Sequence, residues 1–143
     1  MKIKKEKVIP KAKRLKKLKD KCWEVMSLFT RLKYADANGF SKCVTCGKSS
    51  HYTKLNAGHF IHGKMDYNEF NVNPQCVRCN KWLHGNLIQY TTYLMLKYGQ
   101  EVIDLLQTEA RRKIKYTEED YNKILVDLEK KLALAKQGEY NLL

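Results

Sequence analysis

The chain has 143 residues and a formal net charge of +13 at pH 7, with 43% hydrophobic and 30% charged residues. This length favours a single domain, and the composition is that of an ordinary globular protein rather than a disordered or fibrous one. No apolar run approaches the roughly 20 residues of a membrane-spanning helix, and no signal-peptide pattern follows the charged start. We therefore expect a soluble, cytoplasmic protein with no membrane partner.

The excess positive charge lies mainly near the N-terminus, where residues 1–21 hold eleven lysines and arginines against two acidic residues. Such a cluster favours contact with nucleic-acid phosphates, which makes binding sensitive to salt. A solvated tail or a localisation signal is the alternative interpretation. The predicted phosphate contacts are Lys11, Lys13, Arg14, Lys16 and Lys17, together with Arg78 and Lys81 further along the chain.

The first predicted element is a helix over residues 11–37, where apolar side chains recur at helical spacing. Asn38-Gly39 is its predicted stop. Cys22 falls on the apolar stripe, so we interpret it as a small buried hydrophobic residue rather than a metal ligand.

The middle of the chain is predicted to be mostly irregular. Residues 40–44 and 55–61 indicate two short strands, and residues 63–75 are predicted as a loop because they are rich in Asn, Asp, Gly and Pro. A short helix is expected after Cys76. Three further helices follow, over residues 87–98, over residues 101–112 and from an N-cap at Thr117.

Two Cys-x-x-Cys motifs flank this irregular segment, Cys43/Cys46 and Cys76/Cys79. Four thiolates at this spacing are typical of a tetrahedral structural zinc site, which leaves no coordination position for chemistry. A redox dithiol is the alternative, but no βαβ pattern surrounds either motif. The spacing therefore predicts a bound Zn²⁺ that stabilises the segment between the motifs.

Within and after that segment the strings AGHF, NEFNVNPQCVRCN, GNLIQY and YGQEVIDLL occur. Over residues 40–140 they resemble the phage NinG/Rap recombination family, which cleaves branched DNA. The layout also resembles the HNH, or ββα-metal, nucleases and the junction resolvases related to endonuclease VII. The positions that carry the resemblance are Gly58, His59, Asn68, Glu69, Asn71, Gln75, Cys76, Cys79, Asn80, Gly85 and Asn86.

The resemblance implies specific roles for residues of this segment. His59 would act as the general base that activates water, and Asn71 would accept the other imidazole N–H and orient the ring. A catalytic Mg²⁺ or Mn²⁺ would take oxygen ligands, with Asn80 the first candidate and Glu69, Asn56 and Asp66 following. Many HNH nucleases have an acidic residue or a histidine directly before the catalytic histidine, where this chain has Gly58.

These observations predict an α+β protein with a mostly helical body around a zinc-stapled ββα-metal core. We expect one nuclease domain over residues 1–143, with a basic arm and helix (1–37), the zinc-bound core (40–86) and C-terminal helices (87–143). The predicted activity is metal-dependent cleavage of branched DNA, and the site of action is the host cytoplasm if the chain is phage-encoded. There are three alternatives: a non-catalytic zinc module that binds nucleic acid, a general HNH nicking endonuclease and a structural adaptor. Whether the chain forms a homodimer stays open.

Overall fold

The computed structural model describes residues 8–140, so residues 1–7 of the predicted basic arm and residues 141–143 lie outside the described chain. The described part is α+β, as predicted, with two separate two-stranded antiparallel sheets. No helix in residues 8–140 has the length and apolar character needed to cross a membrane. The elements are α1 (Lys11–Leu32), β1 (Phe40–Lys42), β2 (Ser49–His51), β3 (Leu55–His59), β4 (Val72–Cys76), a π-helix (Arg78–Trp82), α2 (Leu87–Tyr98), α3 (Gln100–Ala110) and α4 (Glu118–Lys136).

The main hydrophobic core lies between α1 and α4. Val25, Met26 and Phe29 of α1 pack with Leu128 of α4 and with Val72 of β4. Burial of such side chains typically stabilises a fold by about 1.5–3 kcal/mol each. The core therefore fixes the hairpin formed by β3 and β4 against α1.

Cys22 also lies inside this helical pair and is fully buried. Its thiol donates a hydrogen bond to the Tyr121 carbonyl at 3.3 Å. The prediction that Cys22 is a packing residue is confirmed.

The β3–β4 hairpin corrects one prediction. Residues 63–75 were expected to form a loop, but Val72–Cys76 is a fully buried strand paired with β3. The polar residues that suggested a loop have interior partners instead: Asn73, for example, donates to the Phe70 carbonyl at 3.0 Å. The loop prediction rested on composition, and composition does not distinguish a buried, hydrogen-bonded Asn or Gln from an exposed one.

The first helix is shorter than predicted, since it ends at Leu32 rather than near residue 37. The Asp36 carboxylate accepts hydrogen bonds from the backbone N–H groups of Asn38 and Phe40, each at 2.9 Å. Aspartate in this arrangement competes with helical hydrogen bonding and forms a turn. The turn leads directly into β1.

The C-terminal helices confirm their predictions closely. Helix α2 spans the predicted residues 87–98, and α3 begins and ends within two residues of its expected bounds. Thr117 caps α4 through a reciprocal capping box with Asp120. Helices α2 and α3 form a second small core around Tyr90 and Leu94.

Lys33, at the end of α1, is a lysine with only 2% of its surface exposed. Its ammonium donates to the backbone carbonyls of Glu69 and Val72, each at 3.3 Å. Burial disfavours the charged form and lowers the pKa of Lys33 to about 7, although the nearby Glu69 carboxylate opposes this shift.

We expect Lys33 to make stability rise with pH between about 7 and 10. In this window the unfolded chain holds a proton on Lys33 that the folded chain has lost, so raising the pH favours the folded state. The contribution has an upper limit of about 1.4 kcal/mol per pH unit, and a Lys33→Met variant should lack it. Urea unfolding of both zinc-loaded proteins at pH 7.5 and pH 9 measures the difference. Equal pH dependence in the two would contradict the prediction.

Candidate functional site

The four predicted zinc ligands come together in space. The sulfur atoms of Cys43, Cys46, Cys76 and Cys79 all lie within 4.8 Å of one another. The sulfurs of Cys46 and Cys76 are 3.8 Å apart. A regular tetrahedron with zinc–sulfur bonds of about 2.3 Å has sulfur–sulfur edges of about 3.8 Å. The cluster therefore fits a metal ion such as zinc.

Backbone and side-chain hydrogen bonds hold the two cysteine pairs together. The Val44 N–H, in the first pair, donates to the Pro74 carbonyl of β4 at 2.9 Å. The buried Gln75 amide donates to the Thr45 hydroxyl at 3.2 Å and to the Gly85 carbonyl at 2.8 Å. Gln75 thus ties both cysteine turns to the segment that follows the π-helix.

The thiols of this cluster have strongly different proton affinities. Burial disfavours the Cys43 thiolate, but hydrogen bonds from Thr45 and from backbone N–H groups outweigh it and lower the pKa of Cys43 to about 6. Burial raises the pKa of Cys46 to about 12, and the neighbouring Cys43 and Cys79 add to the increase. The Cys43 thiolate therefore forms easily, whereas that of Cys46 needs a nearby cation to stabilise its negative charge.

Gly58 lies where the side chain of Gln75 crosses the hairpin. A Cβ atom added at Gly58 would be 2.0 Å from the Gln75 Oε1 atom and 2.7 Å from its Cδ atom. Because Gln75 is fully buried and hydrogen-bonded on the cysteine side, it has little freedom to move away. The hairpin accordingly has no room at this position for the metal-binding residue that many HNH nucleases have there.

Gly58→Ala is expected to lower the free energy of unfolding by about 1–3 kcal/mol, the usual cost of overpacking. The added methyl group must displace Gln75 and break its hydrogen bonds to Thr45 and Gly85. In a Gln75→Ala background, where the obstacle is gone, the same change should cost less. Denaturant unfolding of the four proteins at saturating zinc measures the coupling, and equal costs in both backgrounds would contradict this explanation.

His59 is the last residue of β3 and sits between two partners. The indole of Trp23, on α1, stacks on the imidazole with ring centroids 5.1 Å apart and 23° between the ring planes. The His59 Nε2 atom lies 3.0 Å from the Asp66 Oδ1 atom. The imidazole side chain keeps 17% of its surface exposed, so one part of the ring reaches solvent.

The hydrogen bond to Asp66 decides the tautomer of a neutral His59. A carboxylate only accepts, so Nε2 must carry the proton and Nδ1 is left with a free lone pair. The same hydrogen bond lowers the pKa of Asp66, which keeps the carboxylate ionised. A carboxylate–histidine pair with a free ring nitrogen is an arrangement that can accept a proton from water.

The prediction that Asn71 orients the His59 ring is wrong. The Asn71 Oδ1 atom accepts from the Ile61 N–H at 2.8 Å, and its amide donates to the carbonyls of Ile61 and Lys64 at 3.2 and 2.9 Å. Asn71 thus closes the loop between β3 and β4. Because Asp66 lies on this loop, Asn71 acts on His59 indirectly, through the position of its carboxylate partner.

Two of the predicted ligands for a catalytic ion are also corrected. Both oxygens of Glu69 are occupied, one by the Lys131 ammonium at 2.7 Å and the other by the Tyr140 hydroxyl at 2.6 Å. Asn56 precedes His59 by three residues in β3, so strand alternation places it on the opposite face of the hairpin. Asn80, half-buried on the π-helix, makes no side-chain hydrogen bond within residues 8–140 and stays a candidate. Of the predicted ligands, Asp66 contacts His59, whereas Glu69 and Asn56 are not available for a divalent ion beside it.

The predicted phosphate contacts are exposed along α1 and on the π-helix. Arg14 pairs with Glu118 at 3.4 Å and Lys16 with Asp20 at 2.8 Å, which reduces the charge available for phosphate. Lys11, Lys13 and Lys17 have no carboxylate partner among the described residues, and neither do Arg78 and Lys81.

Two contacts of His59 differ from the sequence-based prediction. Trp23 was not predicted to contact the site, and Asp66 was predicted as a candidate metal ligand rather than as the hydrogen-bond partner of His59. Asp66 follows His59 by seven residues across an irregular loop, and no periodic pattern relates such positions. A contact of this kind becomes visible only when the loop conformation is known.

A family model described as "Bacteriophage Lambda NinG protein" matches residues 1–139, nearly the whole chain. The chain belongs to the NinG family. The predicted resemblance to the NinG family is thereby confirmed.

Several curated relatives of the NinG family are similar to this chain over 94 residues, or 63% of its length. Protein ninG of Escherichia phage lambda is 31% identical and covered over 45% of its length, and protein ninG of Escherichia phage 933W is 30% identical and covered over 46%. Protein ninG of Salmonella phage P22 is 28% identical, with 45% covered. The chain thus spans less than half the length of these relatives. No solved structure matches it significantly.

Proposed function

We propose that this chain is a structure-selective DNA endonuclease that hydrolyses phosphodiester bonds in branched recombination intermediates such as Holliday junctions or D-loops. The observation that carries the proposal is the His59–Asp66 pair, 3.0 Å apart, at the end of a hairpin that a four-cysteine cluster holds in place. Membership of the NinG family and the net charge of +13 support a role on nucleic acid.

In the proposed reaction, the free Nδ1 of His59 takes a proton from a water molecule. The water oxygen forms a bond to phosphorus, and the bond from phosphorus to the 3′ oxygen breaks, so the products carry a 5′-phosphate and a 3′-hydroxyl. The departing 3′ oxygen takes its proton from solvent. The ionised Asp66 stabilises the imidazolium that His59 becomes, and it keeps the ring oriented.

Mg²⁺ or Mn²⁺ remains part of the proposal, although residues 8–140 hold no group of three or more His, Cys, Asp or Glu ligands other than the four cysteines. When bound, such an ion stabilises negative charge on phosphate oxygens. Magnesium is usually held by one or two protein oxygens and completes its shell with water and substrate phosphates. The Asn80 side chain makes no hydrogen bond within residues 8–140, and Asn80 stays the first candidate ligand.

The proposal is tested by offering the zinc-loaded chain a four-way junction and a linear duplex of the same sequence in one reaction. We expect preferential cutting of the junction, with Mg²⁺ or Mn²⁺ required and 5′-phosphate ends on the products. Equal cutting of both substrates would indicate a general nicking endonuclease. Tight binding without cutting under every ion condition would indicate a non-catalytic zinc module, and failure to bind DNA at moderate salt would point to an adaptor.

A further inference from the structure

A groove of about 690 Å³ runs beside the His59 site. One wall is α1, the other is the linker between α3 and α4, and the floor includes the β3–β4 loop. Asp66, the partner of His59, lines this groove. The groove thus reaches the carboxylate that holds the proposed catalytic histidine.

The groove is strongly basic. Six basic side chains line it against two acidic ones, Asp66 and Glu109. The basic residues are Lys16, Lys19, Lys64, Arg112, Lys113 and Lys115. A cleft lined by one sign of charge concentrates ligands of the opposite sign, and here the ligand would be a polyanion.

Part of this charge is free to meet a ligand. Arg112 pairs with Glu109 at 3.0 Å, and the Lys64 ammonium donates to the Ala110 carbonyl. Lys113 and Lys115, both exposed, have no carboxylate partner within residues 8–140. These two linker lysines were absent from the sequence-based prediction, because nothing in their spacing relates them to α1 or to His59.

Three tyrosines line the same groove. The rings of Tyr67, Tyr116 and Tyr121 form a cluster with centroids 5.5–6.3 Å apart. All three are half-buried, so they are fixed by packing while part of each ring stays accessible. Aromatic rings beside a basic track are the features with which proteins bind unpaired bases without reading sequence.

We infer that this groove binds a single-stranded stretch of DNA, with its phosphates on the linker lysines and its bases against the tyrosines. The inference rests on the proposed function, because it names which part of a branched substrate approaches His59. A duplex hides its bases in the stack and would leave the tyrosine cluster without a use. Single-stranded binding therefore accounts for both the charge and the aromatic rings.

The contribution of the linker lysines is tested by equilibrium binding of a fluorescent oligothymidine. The zinc-loaded chain is used, without added Mg²⁺ or Mn²⁺. Neutralising Lys113 and Lys115 together to glutamine should weaken binding about 10-fold at 0.1 M salt and make the salt dependence less steep by about 1.4 in the log–log slope. The matched control neutralises Lys123 and Lys130, two lysines of α4 that do not line the groove. The control should change affinity less than twofold; equal losses in the two variants would overturn the inference.

Tyr116→Leu tests the aromatic part, since it keeps the apolar contact but removes the ring. We expect single-strand affinity to fall about fivefold or more. Affinity for a linear duplex should stay within twofold of the parent. Equal losses for the two ligands, or no loss for either, would overturn the single-strand assignment.

These measurements separate the groove from the nuclease proposal. A chain that binds single strands through the groove but cuts nothing would reject the endonuclease and keep the groove. A chain that cuts junctions, yet binds single strands equally well in every variant, would reject the groove alone.

Discussion

Cys79→Ser is expected to abolish zinc binding and to unfold the hairpin that carries His59. Structural zinc sites contribute about 10–16 kcal/mol in isolated zinc-finger peptides, so the loss of one thiolate should cost several kcal/mol here. Among residues 8–140, the core around the cysteines contains one other buried apolar side chain, that of Leu55. Apart from the contact of Val72 with the α1–α4 core and the hydrogen bonds of Val44 and Gln75, little but the ion holds β3, β4 and the first cysteine pair together.

The unfolding should be local, because α1 and α4 have a hydrophobic core of their own. We expect helical circular dichroism to be largely retained while amide exchange in residues 40–86 becomes fast. Zinc content should fall from one ion per chain to none. Cys22→Ser is the matched control, since Cys22 is far from the cluster in the α1–α4 core and should leave zinc content unchanged. Zinc retained at full occupancy in Cys79→Ser would contradict the assignment.

His59→Ala is expected to reduce junction cleavage by a factor of about 10² to 10⁴, the usual contribution of a general base. His59 is not one of the cysteine ligands, so its removal should leave zinc content unchanged. Because its side chain is only 17% exposed and stacks on Trp23, the unfolding midpoint should fall moderately. His51→Gln is the matched control, because His51 is in β2, which belongs to the other sheet. The control variant should cleave at the parent rate.

Asp66→Asn should slow cleavage by about 10- to 100-fold, the usual cost of losing a residue that orients a functional histidine. The effect works through His59, so the double variant should be no slower than His59→Ala alone. Single-turnover rates of the four proteins on one junction give the coupling. Additive losses would show that Asp66 acts independently of His59, for example on a metal ion.

The four-cysteine cluster was predictable from sequence because the Cys-x-x-Cys turn is local. Two cysteines at this spacing share one turn, so only the meeting of the two turns depended on the fold. The C-terminal helices were predictable for a similar reason: Thr117 and the apolar stripe of α4 are related by helical periodicity. A pattern that lies within one turn or one helix can be recognised from the sequence alone.

The His59 site was only partly predictable, since its contacts join separate elements. Trp23, Asp66 and the linker lysines reach the site from α1, the β3–β4 loop and the α3–α4 linker, and none of these contacts has a sequence period. The fold also used polar residues in ways that composition conceals: Asn71 closes a loop and Gln75 supports the cysteine turns. The residue types of Asn71 and Gln75 suggested catalysis or loop structure. Both side chains are instead buried, and their hydrogen bonds hold neighbouring segments together.

The proposed nuclease activity depends most on a zinc-held hairpin that presents His59 to a phosphodiester bond. One gel tests this: parent and His59→Ala, each verified to hold one zinc per chain, are incubated with the same end-labelled four-way junction and Mn²⁺ or Mg²⁺. We expect products with 5′-phosphate ends from the parent and an intact junction with the variant. An intact junction in both lanes, or equal cutting in both, would contradict the proposed role of His59.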